Sequence, residues 1–86
     1  MSEPKFITEF KGDYRVQYWK PLNSDGWQGH NVYYFDDETE AKAKYIELVI
    51  RQTFHTMDLD RVVFEALYDY GGEDRLAFVK VLESRR

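Results

Sequence analysis

Few side chains in this chain have the type and spacing that catalysis requires. The chain has no cysteine, and its serines are Ser2, Ser24 and Ser84. A nucleophilic mechanism needs such a side chain beside a base, and two of these serines lie close to the chain ends. Gly71-Gly72 is not followed by the lysine and hydroxyl residue of a phosphate-binding loop. These patterns predict that the protein is not an enzyme.

One segment holds side chains that could ligate a metal. His55, Asp58 and Asp60 are close in sequence, and imidazole together with carboxylates suits a first-row divalent ion. A solvated loop accounts for the same residues without any ligand, and it is the simpler interpretation. We therefore predict no metal site and no cofactor.

Aromatic side chains are the most informative group. The chain has 15 of them among 86 residues, from 6 Phe, 7 Tyr and 2 Trp. Tyr and Trp on an open sheet face can stack on nucleic-acid bases or anchor a protein interface, and cross-strand pairing within the sheet explains them equally well. Base stacking normally accompanies basic charge, so a formal net charge of -4 disfavours nucleic acid. The candidates for partner contact here are Trp19, Trp27, Tyr33 and Tyr34.

The acidic excess is confined to one part of the chain. Segments 1–35 and 61–86 each balance acids and bases, whereas 36–60 holds seven acids and three bases. One interpretation is helix capping and solubility, and the other is a surface that docks a basic partner by electrostatic steering. The candidate acidic residues are Asp36, Asp37, Glu38 and Glu40.

Length and composition indicate one domain over residues 1–86. A compact domain needs roughly 50 residues or more, and the aromatic content argues against disorder. No apolar run approaches the ~20 residues of a membrane span. The first residues contain no hydrophobic signal core, so we expect a cytoplasmic protein that does not bind membranes.

The elements that must position these side chains begin with strands. Residues 6–10 could form a short strand. Residues 14–20 alternate in the manner of a half-buried strand, with Tyr14, Val16 and Tyr18 on one side and Arg15, Gln17 and Trp19 on the other. Pro21 is expected to end that strand, because proline cannot donate to a sheet ladder. A loop of ten residues is predicted over 22–31, followed by a strand over 31–35.

The helix has the clearest signals. Asp37 and Glu40 have the spacing of a capping box, and apolar periodicity continues from Glu38 to about Gln52. The apolar arc is wider than one sheet face needs, because Ala43, Ile46 and Ile50 lie beside the main apolar face. This width predicts a second contact surface on the helix, through which the chain either self-associates or docks a partner.

The segment 59–70 fits both a helix and a strand. We favour the strand, because 71–74 has hairpin length and 75–83 is a strand of matching length. Apolar residues on both faces of 75–83 predict a central position in the sheet. The resulting order, (β)ββαββ, predicts an α+β two-layer sandwich with an antiparallel sheet of four or five strands and one helix on one face.

The predicted loop 22–31 is the best candidate for a contact site. It holds Trp27 between two glycines with His30 nearby, and long loops are often functional. Trp27 could be an interface anchor, or it could close over the core as a lid.

In outline, a compact acidic α+β domain without cysteine, whose helix opens with Asp36-Asp37-Glu38-Thr39-Glu40-Ala41, resembles small accessory proteins of phages and bacteria. That resemblance implies a non-enzymatic protein-binding module, an inhibitor that blocks a larger machine, including machines that handle nucleic acids. The alternatives are an assembly protein that acts by self-association and a single-stranded nucleic-acid binder.

Overall fold

The part of the chain that the structure describes forms one antiparallel sheet with one helix packed on one of its faces. The computed structural model describes residues 12–71 and 76–86. Its elements are β1 (Tyr14–Leu22), β2 (Gln28–Phe35), α1 (Glu38–Thr53), β3 (Arg61–Asp69) and β4 (Leu76–Arg85). The strands lie in the order β2-β1-β3-β4, which confirms the predicted α+β class. The strand predicted over 6–10 lies outside the described residues.

The ambiguous segment is a strand, as predicted. β3 lies between β1 and β4 and pairs antiparallel with both. Val62 and Phe64 are fully buried on its helix side, and Val63 is fully buried on the other side. A helical segment would leave one side in water, whereas a central strand can use apolar residues on both faces.

Among the strands that the structure describes, β4 lies at an edge of the sheet and not at the expected central position. Its apolar residues on both faces are only partly covered, and Val81 and Leu82 are exposed. The helix contacts β1, β2 and β3, so the helix side of β4 receives little cover. Apolar residues on both faces of β4 therefore do not indicate a central position in the sheet.

Proline does not end β1, contrary to expectation. The strand continues through Pro21 to Leu22, and its register with β2 shifts between Trp19 and Leu22. Proline is tolerated in a strand at such an irregularity, because the ladder there does not need its missing N–H group.

The core lies between α1 and the helix side of β1 and β3. Val16, Leu48 and Phe64 are its centre, and alternation in β1 places Val16 and Tyr18 on that side as predicted. Along the helix, Ala41, Leu48 and Gln52 are the buried residues. They fall on one stripe at spacings of seven and four, the pattern of a helix that buries one face.

Both ends of α1 have specific caps. Asp37 Oδ2 accepts the Glu40 N–H at 3.1 Å, which confirms the predicted N-terminus. At the other end His55 has φ of 60°. The Thr56 N–H donates to the Arg51 carbonyl at 3.0 Å, and the His55 N–H donates to the Gln52 carbonyl at 3.3 Å. These two bonds form a Schellman motif, in which His55 holds the left-handed position usually given to glycine.

Candidate functional site

The predicted ten-residue loop over 22–31 is shorter in the structure. Gln28 already belongs to β2, and His30 pairs with Trp19 across the ladder. The connection is therefore the five residues 23–27, an ordinary length for a hairpin. The prediction missed this because the glycine and polar side chains of 28–31 are typical of loops, although these residues form the exposed first half of β2.

Asn23 fixes the conformation of this connection. Its side-chain Oδ1 accepts the N–H groups of Asp25 and Trp27, both at 2.9 Å. Its own N–H donates to the Trp27 carbonyl at 2.8 Å. Gly26 has φ of 85°, a value that suits glycine. The backbone on both sides of Trp27 is thus held by one asparagine.

Trp27 itself extends into solvent. Its side chain is 74% exposed, and Leu22 beside it is 67% exposed. The alternative that Trp27 covers the core as a lid is therefore wrong. We call the segment from Leu22 to Trp27 the hairpin tip. It presents two large apolar side chains on a backbone that hydrogen bonds have ordered.

Trp19 and His30 lie elsewhere, on the sheet face that the helix does not cover. Their rings stack with centroids 4.7 Å apart, and the Arg61 guanidinium lies 4.6 Å from the Trp19 centroid. Since His30 comes from β2 and Arg61 from β3, they flank Trp19 on its two sides. Both faces of the indole are occupied, so Trp19 offers no free ring face to an incoming base.

The centre of this open sheet face is a closed network of hydrogen bonds. Arg15 donates to both oxygens of Glu65 at 2.7 and 3.0 Å, and Gln17 donates to Glu65 Oε1 at 2.7 Å. Burial alone would lower the pKa of Arg15, but the hydrogen bond and charge of Glu65 outweigh it and raise that pKa. His30 Nε2 joins the network at 2.8 Å from Gln17 Oε1.

A second ion-pair group joins the edge strand to β3. The Glu83 carboxylate accepts hydrogen bonds from Lys80 at 2.7 Å, Arg61 at 2.5 Å and Arg85 at 3.1 Å. The hydrogen bonds from Lys80 and Arg61 lower the pKa of Glu83 to about 2. The basic side chains that could attract phosphate are thus engaged with carboxylates of the same face, which weakens the case for nucleic-acid binding.

The two adjacent tyrosines of β2 point to opposite sides. Tyr33 packs against the core on the helix side, where the Lys44 ammonium lies 4.5 Å from its ring centroid. Tyr34 lies on the open face, with its ring centroid 6.2 Å from that of Phe78. Alternation along a strand separates them, so they do not act as one pair.

The acidic candidates cluster at the start of α1 and far from the hairpin tip. Asp36, Asp37, Glu38 and Glu40 are all exposed. Asp37 is used as the cap, and Glu38 lies 3.5 Å from Lys42. The hairpin tip precedes β2 and the helix follows it, which separates them by on the order of 24 Å at about 3.4 Å per residue. The nine predicted contact residues therefore form several surfaces and no single site.

One exposed apolar surface was only partly foreseen. Ile46 and Ile50 are 55% and 51% exposed on the side of α1 that faces away from the sheet, and Phe54 just after the helix is 71% exposed. The wide apolar arc indicated the two isoleucines. Phe54 was missed because the helix was predicted to end at about Gln52, and its periodicity with Ile46 and Ile50 was the available signal.

The possible metal ligands do not form a site. Within residues 12–71 and 76–86, no group of three or more His, Cys, Asp or Glu side chains is placed to hold an ion. Asp58 instead pairs with Arg86. In that same part of the chain, every helix is too short or too polar to cross a membrane.

Comparison of the chain with protein-family models, curated proteins and solved structures gives no match.

Proposed function

We propose that this protein is a non-enzymatic binding domain that docks a protein partner through the hairpin tip, with Trp27 as the anchor. The observation that carries the proposal is that Trp27 is 74% exposed on a backbone fixed by Asn23. An exposed indole leaves a large apolar surface in contact with water, which is unfavourable. Tryptophan is also enriched among the residues that dominate protein interfaces.

The backbone of the connection 23–27 is ordered before binding, which supports its use as a contact surface. Binding normally costs free energy because loops and side chains lose freedom at the interface. The hydrogen bonds of Asn23 hold the Trp27 backbone before any partner arrives, which reduces that cost. A shallow groove beside Trp27 is lined by Pro21, Leu22 and Asp58, and it can receive a side chain of the partner.

The chemistry of the hairpin tip defines the partner surface it fits. Trp27 and Leu22 require an apolar pocket. The margin of the groove carries both signs of charge, because Lys20 and Asp58 line it and Asp58 pairs with Arg86. The complementary surface is therefore an apolar pocket with a polar rim of mixed charge. An inhibitor that blocks a larger machine would use such a contact, and we keep this hypothesis together with a cytoplasmic location as parts of the proposal.

The test compares Trp27→Ala with the matched control Tyr70→Ala, which removes another exposed aromatic ring, 62% exposed, at a distance from the hairpin tip. The parent chain is used to capture partners from cells of its source, and the affinity of the identified partner is then measured for each variant. We expect Trp27→Ala to lower affinity by about 2 kcal/mol or more, with stability within about 0.5 kcal/mol of the parent. Tyr70→Ala should bind as the parent does.

Two results would contradict the proposal. In the first, Trp27→Ala binds the identified partner with parental affinity. In the second, Trp27→Ala loses about 3–5 kcal/mol of stability, the cost of removing a buried aromatic, and still binds when folded.

A further inference from the structure

The outer side of α1 carries an apolar stripe that the fold leaves uncovered. Ala43, Ile46 and Ile50 are exposed there and line a shallow groove. Phe54 continues the line beyond the last helical residue. The spacings of three and four residues between Ala43, Ile46 and Ile50 are those of a coiled-coil seam, and Phe54 lies at the edge of this line. We call these four residues the outer stripe.

The outer stripe is separate from the buried side of the same helix. Ala41, Leu48 and Gln52 face the sheet, and at 3.6 residues per turn they lie about opposite to Ala43 and Ile50. The helix therefore has two apolar sides, of which the sheet occupies one. An exposed helix would normally place charged residues on the other.

We propose that the outer stripe is covered by the outer stripe of a second copy of this chain, with the two helices parallel. Ala43 is small enough to let the helix backbones approach, while Ile46 and Ile50 fill the contact. The choice of a second copy, and of the parallel direction, comes from the charges beside the stripe.

The two flanks of the outer stripe differ in charge. Glu40 and Glu47 border it on one side, with Arg51 next to Glu47. Lys42 borders it on the other side and lies 3.5 Å from Glu38 of its own chain. In a parallel pair related by a two-fold axis, each flank of one helix lies against the opposite flank of its partner. A residue on one flank then lies beside the partner residue that is five positions later in sequence. Lys42 then faces the partner's Glu47, and the pairing occurs twice.

An antiparallel pair gives the opposite result. Like flanks then meet, so Lys42 no longer lies beside the partner's Glu47, and the two contacts between opposite charges are lost. Within one chain Glu47 already pairs with Lys44 at 3.3 Å and Arg51 at 3.2 Å. These pairs are exposed and therefore weak, so Glu47 remains able to accept Lys42 from the partner.

The size of the outer stripe sets the strength of the contact. Ile46, Ile50 and Phe54 are the large apolar side chains that it offers, and a standard interface buries roughly 800 Å² per partner. The association is therefore weak and depends on concentration. It leaves the hairpin tip free, because the tip lies at the end of β1 and β2 and not on the helix.

The test measures molecular mass by sedimentation equilibrium over a wide concentration range. The full chain should rise from its monomer mass of 10.4 kDa towards twice that value. Ile50→Gln should weaken association at least about tenfold. Lys42→Glu and Glu47→Lys should each weaken it about tenfold, because like charges then meet at both symmetric positions.

The single charge variants distinguish the parallel pair from an antiparallel one, in which Lys42 and the partner's Glu47 do not meet, and a mixture of the two variants tests the pairing of opposite charges. In a parallel pair of one Lys42→Glu chain and one Glu47→Lys chain, opposite charges face each other at both positions, so mixing should restore association to the parental level. The matched control is Val81→Gln, which changes an exposed aliphatic residue on the edge strand β4 and should have no effect.

Three results would overturn the proposal. The parent chain could stay monomeric at every concentration. The mixture could stay as weakly associated as each single variant, while circular dichroism shows both to be folded. Val81→Gln could abolish association while Ile50→Gln leaves it intact, which would assign the contact to pairing of sheet edges.

Discussion

At the scale of single residues, Asp37 shows how one side chain decides where an element begins. Its carboxylate accepts the Glu40 N–H at 3.1 Å, one of the N–H groups that a helix start leaves without an intrahelical partner. Asp36 is also exposed and acidic, and it sits one residue too early for this bond. The negative charge at both positions suits the helix dipole, but the hydrogen bond belongs to Asp37.

We expect Asp37→Ala to lower the free energy of unfolding by about 0.5–2 kcal/mol, because the Glu40 N–H loses its acceptor. Urea denaturation followed by circular dichroism measures the change. Asp36→Ala is the matched control and should change the midpoint much less. Equal midpoints for Asp37→Ala and the parent would show that the cap contributes nothing.

At the scale of elements, Glu83 joins β3 and β4. Its carboxylate pairs with Arg61 of β3 at 2.5 Å and with Lys80 of its own strand at 2.7 Å. These hydrogen bonds lower the pKa of Glu83 from 4.5 to about 2. A carboxylate whose pKa is lowered by folding stabilises the folded state above its unfolded pKa. That contribution is lost as pH falls through the folded value.

The acid limb of the stability curve should therefore depend on Glu83. In the parent, stability falls between the unfolded pKa of 4.5 and the folded pKa of about 2. Glu83→Gln removes this titration, so its stability should be lower than that of the parent above this window and should fall less within it. Denaturant unfolding at a series of pH values measures both curves. Parallel curves for the two proteins would contradict the assignment.

At the scale of the whole molecule, Gln52 connects three elements through a buried amide. Its Nε2 donates to the Leu59 carbonyl at 3.1 Å and to the Ser84 carbonyl at 3.4 Å. Its Oε1 accepts the Ser84 hydroxyl at 2.6 Å. The end of α1, the segment before β3 and the end of β4 meet at this side chain. Every polar atom of the amide has a partner, which is what burial of such a group requires.

We expect Gln52→Ala to cost about 1–3 kcal/mol, because it leaves the Ser84 hydroxyl and two carbonyl oxygens without their partner. Chemical denaturation measures this loss, and Gln28→Ala is the matched control on an exposed glutamine of β2. A double-mutant cycle with Ser84→Ala should give a coupling free energy of about 0.5 kcal/mol or more. Additive effects of the two changes would contradict the link.

The sequence predicted the elements well wherever local signals were strong. The acidic cap and the 3.6-residue periodicity located α1, and alternation located the buried side of β1 at Val16 and Tyr18. These signals depend on the residues of one element alone. Hairpin spacing also resolved 59–70 as a strand, because the length of a turn and of two matching strands is visible in the chain itself.

The order of the strands and the surfaces left in water were decided by the tertiary structure. Nothing local distinguishes an apolar edge strand such as β4 from a central one, because that depends on which neighbours pair with it. Trp27 could equally have been a lid or an exposed anchor until the hydrogen bonds of Asn23 fixed the tip. Likewise, Ile46 and Ile50 were recognisable as surplus apolar residues, but only the packing of α1 on the sheet placed them on its outer side.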